Sequence, residues 1–438
     1  LLIIDIRWAG NDVTLAADRR DLLLMVARRV EDRTGYVYTN QLDDASLEAA
    51  LRAAERQLTL FGRPEPRDFT IPPPPFTYPA PAIWSDATYG ITTQARAAVA
   101  QGCIEPAEAQ GMRSAGYLEM RATGSAVFWE GGDLLYAACT QAQCSMTVRD
   151  AKGAGSGWAG LSSYDWAAID PNALAARALE KALASRNPVA LEPGRYTVIL
   201  EPQAVHDLVS LLLPAFDREM AEQGGGPFAA MLDPTLELPD GTPVRYTKLG
   251  LKVIDERITI DHDPMDPRLG ILPMVVAGEY PPQRAVTWID HGVLTTLAHS
   301  RRYALARLTR DANADPRGAF RMSGGETPVE EMIATTKRGL LVTRFSNLRL
   351  LEETSMLATG VTRDGLWLIE NGKITKAVKN LRFTESPLFV LNSIEQLGVP
   401  VPVFRPARQP FEDPGVTPAI VPPLKVRDFS FTSTIDAI

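Results

Sequence analysis

Histidine and cysteine, the side chains that most often hold zinc, number only four and three in 438 residues. Cys103, Cys139 and Cys144 are too few for a disulfide framework in a chain of this size. Cys139 and Cys144 are separated by four residues, which is not a CxxC spacing, so reduced thiols in a cytoplasmic protein are expected. With four His, a three-His metal site would consume nearly all of them. Long apolar runs are missing as well. Leu22–Ala27 falls far short of the ~20 residues that span a bilayer, so no membrane partner is expected. A basic excess is also absent: 45 Lys and Arg stand against 53 Asp and Glu, a formal charge of −8. That balance argues against nucleic acid as a partner. There is no Gly-x-Ser-x-Gly elbow and no Ser-x-x-Lys. The chain opens at Leu1 with neither Met nor a signal-peptide pattern, so a longer N-terminus is allowed for.

What is present is the composition of a globular protein, with 45% hydrophobic and 22% charged residues. The length predicts two or three domains. Near the N-terminus Leu2, Ile4 and Ile6 alternate with Ile3, Asp5 and Arg7, and Gly35–Thr39 forms a second strand-like run. Leu47, Leu51, Ala54 and Leu58 recur at three- and four-residue steps and predict a helix. A proline-rich stretch covers 63–82. Proline lacks the N–H donor and fixes φ, so this stretch is expected to be an extended strap across the domain surface rather than a ligand for another protein. Ile91–Cys103 predicts a helix, with a second helix or a turn starting at Glu105. Runs at 116–122, 125–130, 134–140 and 144–150 predict an antiparallel meander. Asp170–Leu183 predicts a helix with an acidic, Pro-bearing start.

Beyond Tyr196 strands dominate, with helices expected around 203–222 and 328–337. Asp290-His291-Gly292 and Glu370-Asn371-Gly372 are hairpin turn signals. Ser386–Leu397 predicts a helix and Lys425–Phe431 a final strand. The fold class is therefore α+β, in two domains with mixed and antiparallel sheets flanked by helices and a β-rich C-terminal domain. The expected division is 1–190, carrying the strap, and 191–438.

Four segments invite a chemical reading. Gly155, Gly157 and Gly160 match the GxGxxG of dinucleotide sites, but no helix is expected to open after them, and a glycine-rich turn is expected instead. Asp261, His262, Asp263 and Asp266 are a dense set of candidate metal ligands, weighed against an Asp-Pro turn. His291 and His299 are expected in a turn or on the surface. The fourth segment runs from Leu191 through Leu211 as a strand entering a helix. It carries His206 and Asp207, weak candidates for a first zinc ligand and a base. A zinc-hydrolase helix needs a second imidazole on the same face, yet Ser210 and Leu211 stand there.

Several blocks together resemble the TldD/TldE (PmbA) family along nearly the whole chain. They are Thr34–Leu47, Pro193–Tyr196 with the following Val198–Pro202, Trp288–Leu294, Thr336–Phe345, Thr362–Ile374 and Val378–Phe383. The resemblance implies a two-domain α+β fold and dimeric assembly. It implies a zinc site in the TldD-type subunit, built from an HExxxH helix and a distant C-terminal Cys, and a TldE-type subunit without it, the pair cleaving extended peptides. Here Asp207 replaces the Glu, Leu211 replaces the second His, and no Cys follows Cys144. The expectation is a TldE-like member with no cofactor of its own, forming a homodimer or pairing with a zinc-bearing TldD-like subunit and assisting proteolysis of extended peptides, with Leu340–Thr343 as an edge strand that could take the peptide. The alternatives are an active hydrolase with an unusual site, His206 and Asp207 joined by Asp261, His262 and Asp263, or a non-enzymatic interaction protein.

Overall fold

The computed structural model describes all residues except 32, 62, 65–81, 129–133, 151–154, 238–242, 271–283, 301–302, 305–318, 406–418 and 436–438. Most of the proline-rich strap lies outside the described residues.

The N-terminal half is a sheet backed by two helices. Its strands are β1 (Leu2–Ala9), β2 (Asp12–Arg20), β6 (Met112–Val127), β7 (Leu135–Asp150) and β8 (Ser156–Ser163), in the order β2-β1-β6-β7-β8 and antiparallel throughout. A small layer stands apart, with β3 (Leu24–Val30), β4 (Arg33–Thr39) and β5 (Arg63–Pro64) beside α1 (Asp44–Phe61). The four short strands expected between 116 and 150 are two strands of 16 residues each. A paired neighbour carries each strand through its polar and glycine positions, which local pattern alone reads as breaks.

The short α2 spans Asp86–Tyr89, followed by α3 (Thr93–Ala109) and α4 (Pro171–Ala184). Helix α3 is continuous where the sequence suggested an interruption at Glu105. Pro106 sits inside it, and Cys103, Ile104 and Ala107 on either side of Pro106 are buried. Burial of that face outweighs the lost backbone bond. Helix α4 starts as expected. Asp170 caps it by accepting from the Asn172 and Ala173 N–H groups, and Pro171 follows.

The C-terminal half centres on a closed sheet. Its order is β16 (Arg338–Glu352), β9 (Gly194–Leu200), β23 (Leu424–Thr434), β19 (Leu381–Glu385) and β17 (Leu357–Glu370), and β16 pairs back onto β17 to complete a barrel. Strands β18 (Lys373–Ala377) and β20 (Ile394–Leu397) attach to β17 and β23. Leu340–Thr343 is therefore no edge. Leu340–Val342 pair with β9 on one side and β17 on the other, so those three residues offer no open strand edge to a peptide.

A second sheet contains β12 (Ile260–His262), β13 (Val286–Asp290), β14 (Val293–Leu294), β15 (Arg321–Met322), β21 (Val401–Pro402) and β22 (Ile420–Val421). Strands β10 (Ala229–Glu237) and β11 (Pro243–Thr247) make a separate hairpin. Helices α5 (Pro202–Val209), α6 (Arg218–Glu222), α7 (Val329–Ala334) and α8 (Pro387–Asn392) flank the sheets. The helix expected over 386–397 ends at Asn392, and Ile394–Leu397 pairs with β23 instead. Both hairpin turns form as expected. His291 and Gly292 have φ of 45° and 78°, and Asn371 and Gly372 have 51° and 79°, as type I′ turns require.

The two largest hydrophobic clusters do not mix. One lies within Ile4–Ala182 and the other within Val198–Phe431. Among the described residues no helix is long and apolar enough to cross a membrane.

Candidate functional site

Strand β9 delivers the chain to α5 from the middle of the barrel wall. Glu201 occupies the N-cap position without a side-chain cap bond. Its carboxylate turns instead to α4, accepting from Lys181 Nζ at 2.5 Å and from Arg177 at 3.1 Å. Burial lowers the Lys181 ammonium from its usual range, and the Glu201 carboxylate opposes that shift.

Helix α5 is only eight residues long. Ser210 Oγ donates to the His206 carbonyl at 2.6 Å, and the chain tightens into a 3-10 helix over Ser210–Phe216 with Pro214 inside. A side-chain bond to the carbonyl four residues back weakens a helix, and proline removes a further backbone donor. The position one turn beyond His206 belongs to this altered geometry and carries no imidazole.

His206 is 7% exposed and lies flat on Phe320, with ring centroids 6.1 Å apart and planes 9° apart. Asp207 is committed to the scaffold. Its Oδ1 accepts from Gln203 Nε2 at 2.9 Å, and its Oδ2 accepts from the Phe345 backbone N–H at 2.9 Å. Gln203 in turn accepts from the Phe404 N–H at 3.1 Å. The carboxylate thus ties α5 to β16 and, through Gln203, to the segment after β21. Asp207→Ala should lower stability by about 1–3 kcal/mol, because the Phe345 donor loses its acceptor in a half-buried place. An unchanged urea midpoint would show that the bond contributes nothing.

The second candidate cluster is braced by arginine. Asp261 accepts from Arg321 Nε at 2.7 Å, and Asp266 accepts from both Arg268 and Arg321. The Arg268 guanidinium holds the Asp266 carboxyl below its usual range. Asp263 caps the Met265 N–H. His262 is buried, its Nδ1 is 3.4 Å from the Ala319 carbonyl oxygen, and it meets Trp288 edge-on. His206 and His262 therefore both touch the segment 319–320, but the nearby carboxylates point to guanidinium or backbone groups.

Among the described residues no group of three or more His, Cys, Asp and Glu side chains is placed to hold a metal ion. His291 is exposed in its turn, against Asp290, whereas His299 is buried rather than at the surface. The three thiols are buried. Burial pushes the Cys139 thiol up to about 12, and the adjacent Cys103 thiol raises Cys144. With Leu211 in place of an imidazole, no Cys after Cys144 and both Asp207 oxygens occupied, these residues do not fit a zinc site of the HExxxH design.

The residues that sequence spacing could not reveal lie where the two halves meet. Between the pairs Val342–Leu366 and Arg344–Arg363, Thr343 alone opposes Asp364 and Gly365, a β-bulge. Asp364, at φ 55°, is turned toward β8. It accepts from Ser156 Oγ and from Arg344, whose Nε is 2.8 Å away. Arg344 also lies over the Trp158 ring at 4.8 Å, and Trp158 meets Phe404 edge-on.

The barrel-facing side of the N-terminal sheet adds a buried polar row. Glu119 accepts from Arg121 at 2.6 Å and from Gln143 at 2.8 Å. A small cavity beside them is lined by Glu119, Arg121, Gln141, Ala142, Gln143 and Ser162. Burial raises the nearby Tyr117 phenol well above its usual range. Of the GxGxxG glycines, Gly160 borders the same junction, beside Phe404, whereas Gly155 and Gly157 face α4 and the residues just after it. Gly157 and Gly160 lie within strand β8, not in a turn.

Comparison with known proteins agrees with this architecture. The family model of the PmbA/TldA metallopeptidase C-terminal domain matches residues 193–433, more than half of the chain. No curated protein matches it. Among solved structures, TldE from Thermococcus kodakarensis has a TM-score of 0.79 at 18% identity, covering 99% of this chain and 95% of that one. A Thermotoga maritima protein described as a candidate modulator of a DNA gyrase has 0.80 at 17% identity, covering 98% and 94%. A Bacteroides thetaiotaomicron protein with a similar description has 0.80 at 17%, covering 99% and 92%. At such identities the structural likeness is one of fold, while the match over 193–433 is one of sequence family. The chain belongs to the TldD/TldE family, whose C-terminal domain is that of the PmbA/TldA metallopeptidases.

Proposed function

We propose that this chain is a TldE-like subunit of a peptidase system. It lacks a zinc site of its own and assists cleavage of extended peptides by a zinc-bearing relative. Residues 1–190 and 191–438 are its two domains. The observation that supports the reading best is the state of α5. The resemblance implies that this helix corresponds to the family's metal helix, with Leu211 at the second ligand position, and both oxygens of Asp207 hold Gln203 and the Phe345 backbone. The alternative, an unusual hydrolase centre joining His206 and Asp207 to Asp261–Asp263, draws less support, since Asp261 and Asp263 are turned to Arg321 and to backbone.

The purified chain should carry well below one zinc per molecule by elemental analysis and should leave an unfolded protein substrate intact. Mixed with a zinc-bearing TldD-type relative, it should raise that protein's cleavage rate. One tightly held zinc per chain, or cleavage by the chain alone, would overturn the reading.

A further inference from the structure

We infer that the open edge of β2 takes an extended, acid-bearing segment of another polypeptide as an added strand. Strand β2 ends the N-terminal sheet, and every residue of it except Ala17 is exposed, whereas β8 at the opposite end is mostly buried. The register of β2 on β1 is unbroken from Leu15 to Arg20. Just past that run, Leu1 and Asp21 exchange both backbone bonds, at 3.0 and 2.8 Å. Bonded and non-bonded pairs alternate along an antiparallel ladder. Arg19, Ala17 and Leu15 therefore bond to β1, and the N–H and C=O groups of Ala16, Asp18 and Arg20 point away from it. Among the described residues no hydrogen bond reaches those outward groups. They recur every second residue, about 6.8 Å apart, as the groups of an extended backbone do, so the occupant they fit is another strand.

Charge at an open edge normally wards off pairing. Here the charge left over has one sign. The Asp18 carboxylate is already held by Arg96, at 2.7 Å. Arg19 and Arg20 are exposed, and among the described residues neither has an ion-pair partner. Alternation puts Arg19 on the sheet face of Ile3 and Asp5, and Arg20 on the face of Leu2 and Ile4. A guanidinium thus flanks the edge on each face at the same end.

Charge complementarity selects the occupant. The side chains of an added strand alternate in the same way, so two adjacent carboxylates meet one guanidinium each. Antiparallel addition places those carboxylates at the N-terminal end of the segment. Toward Leu15, Ala16 and Ala17 the edge carries no charge and suits small or apolar neighbours. The chain as a whole has a net charge of −8. Its cationic strand end is a local exception, and it favours an acidic strand over a basic or neutral one.

Binding is measured on the full chain alone, without a cleavage readout, so the result is independent of the proposed function. The probe is an acetylated, fluorescein-labelled peptide of two Glu followed by alternating Val and Thr. Its anisotropy should rise to saturation with added protein, and added NaCl should weaken the binding. The same peptide with Lys for Glu should bind about tenfold more weakly, as the loss of two exposed ion pairs implies. N-methylation of one alternating set of its nitrogens, the set facing β2, should abolish binding, because a new ladder needs those donors. Arg19→Glu combined with Arg20→Glu should reverse the preference between the two charged probes. Ala16→Pro removes one outward N–H and spares the bonds to β1, and it should weaken the acidic probe with an unchanged circular dichroism spectrum. If proline disturbs that spectrum, the exposed arginine pair still decides the outcome. No saturable binding, indifference to charge reversal, or indifference to N-methylation of either set would overturn the assignment. So would a dimer in sedimentation that Ala16→Pro dissociates and the probe cannot compete away, which gives the edge to a second copy.

Discussion

Replacing Asp364 with Ala should cost the fold about 3–5 kcal/mol, the range for removing one partner of a buried ion pair. The Asp364 side chain is fully buried, and Arg344 is 24% exposed. With the carboxylate gone, the guanidinium and the Ser156 hydroxyl lose their acceptor at the junction of the two halves, while the contact of Arg344 with Trp158 remains. Left-handed backbone adds to the penalty. Asp364 has φ 55°, a conformation that Asp and Asn tolerate better than Ala does. Asp364→Asn should therefore lose less than half as much. Urea denaturation of these two variants, of Arg344→Met and of an Arg344→Met, Asp364→Ala double variant gives the coupling directly. A loss below about 1 kcal/mol for Asp364→Ala would mean that the junction adds little to stability, since exposed pairs are worth at most that much.

The second large effect is expected at Gly157. A Cβ there would stand 2.2 Å from the Ala178 carbonyl oxygen, 2.4 Å from the Ala182 nitrogen and 2.7 Å from the Lys181 Cβ. The first two are backbone atoms of α4, so the helix has to lift from β8 as a body. Gly157→Ala should lose about 3 kcal/mol, at the upper end of the cost of overpacking. The lift also has a local readout. Cys103 and Cys144 are buried in the core that α4 helps to close, so thiol reagents should modify them faster in the variant. Wild-type stability together with wild-type thiol protection would show that β8 and α4 can separate without cost. The contact also explains why glycine recurs here. Gly155 and Gly157, two of the three glycines that resemble a nucleotide fingerprint, serve close approach of the α4 end to β8, and Gly160 packs instead beside Trp158 and Phe404.

Much of the fold was legible because its signals are local. Asp170 and Pro171 mark the start of α4, and Asn371-Gly372 and His291-Gly292 set their hairpins through the positive φ that those turns demand. The failures share a cause. Ser386–Leu397 has helical composition, but its second half is taken by β23, an element nearly thirty residues further along the chain. Leu340–Thr343 reads as any apolar strand does, and only the closing of β16 onto β17 removes its edge. The proline at 106 and the glycine and glutamines of β6 and β7 look like breaks until the packed face or the paired neighbour is known.

The candidate site divides in the same way. Sequence by itself determined the membership of the family, and that position 211 carries no imidazole and no thiol follows Cys144, since folding cannot supply either. It also determined the scarcity of alternatives, with four His in the whole chain. What those remaining polar groups do was decided by tertiary structure. Asp207 meets the Phe345 N–H across 138 residues, Asp261 meets Arg321 across 60, and Asp364 meets Ser156 across 208. Propensities and caps act within a turn or two of the chain. A carboxylate's partner depends on where a barrel closes and which face of a sheet it covers, and that follows from burying two separate cores against one another.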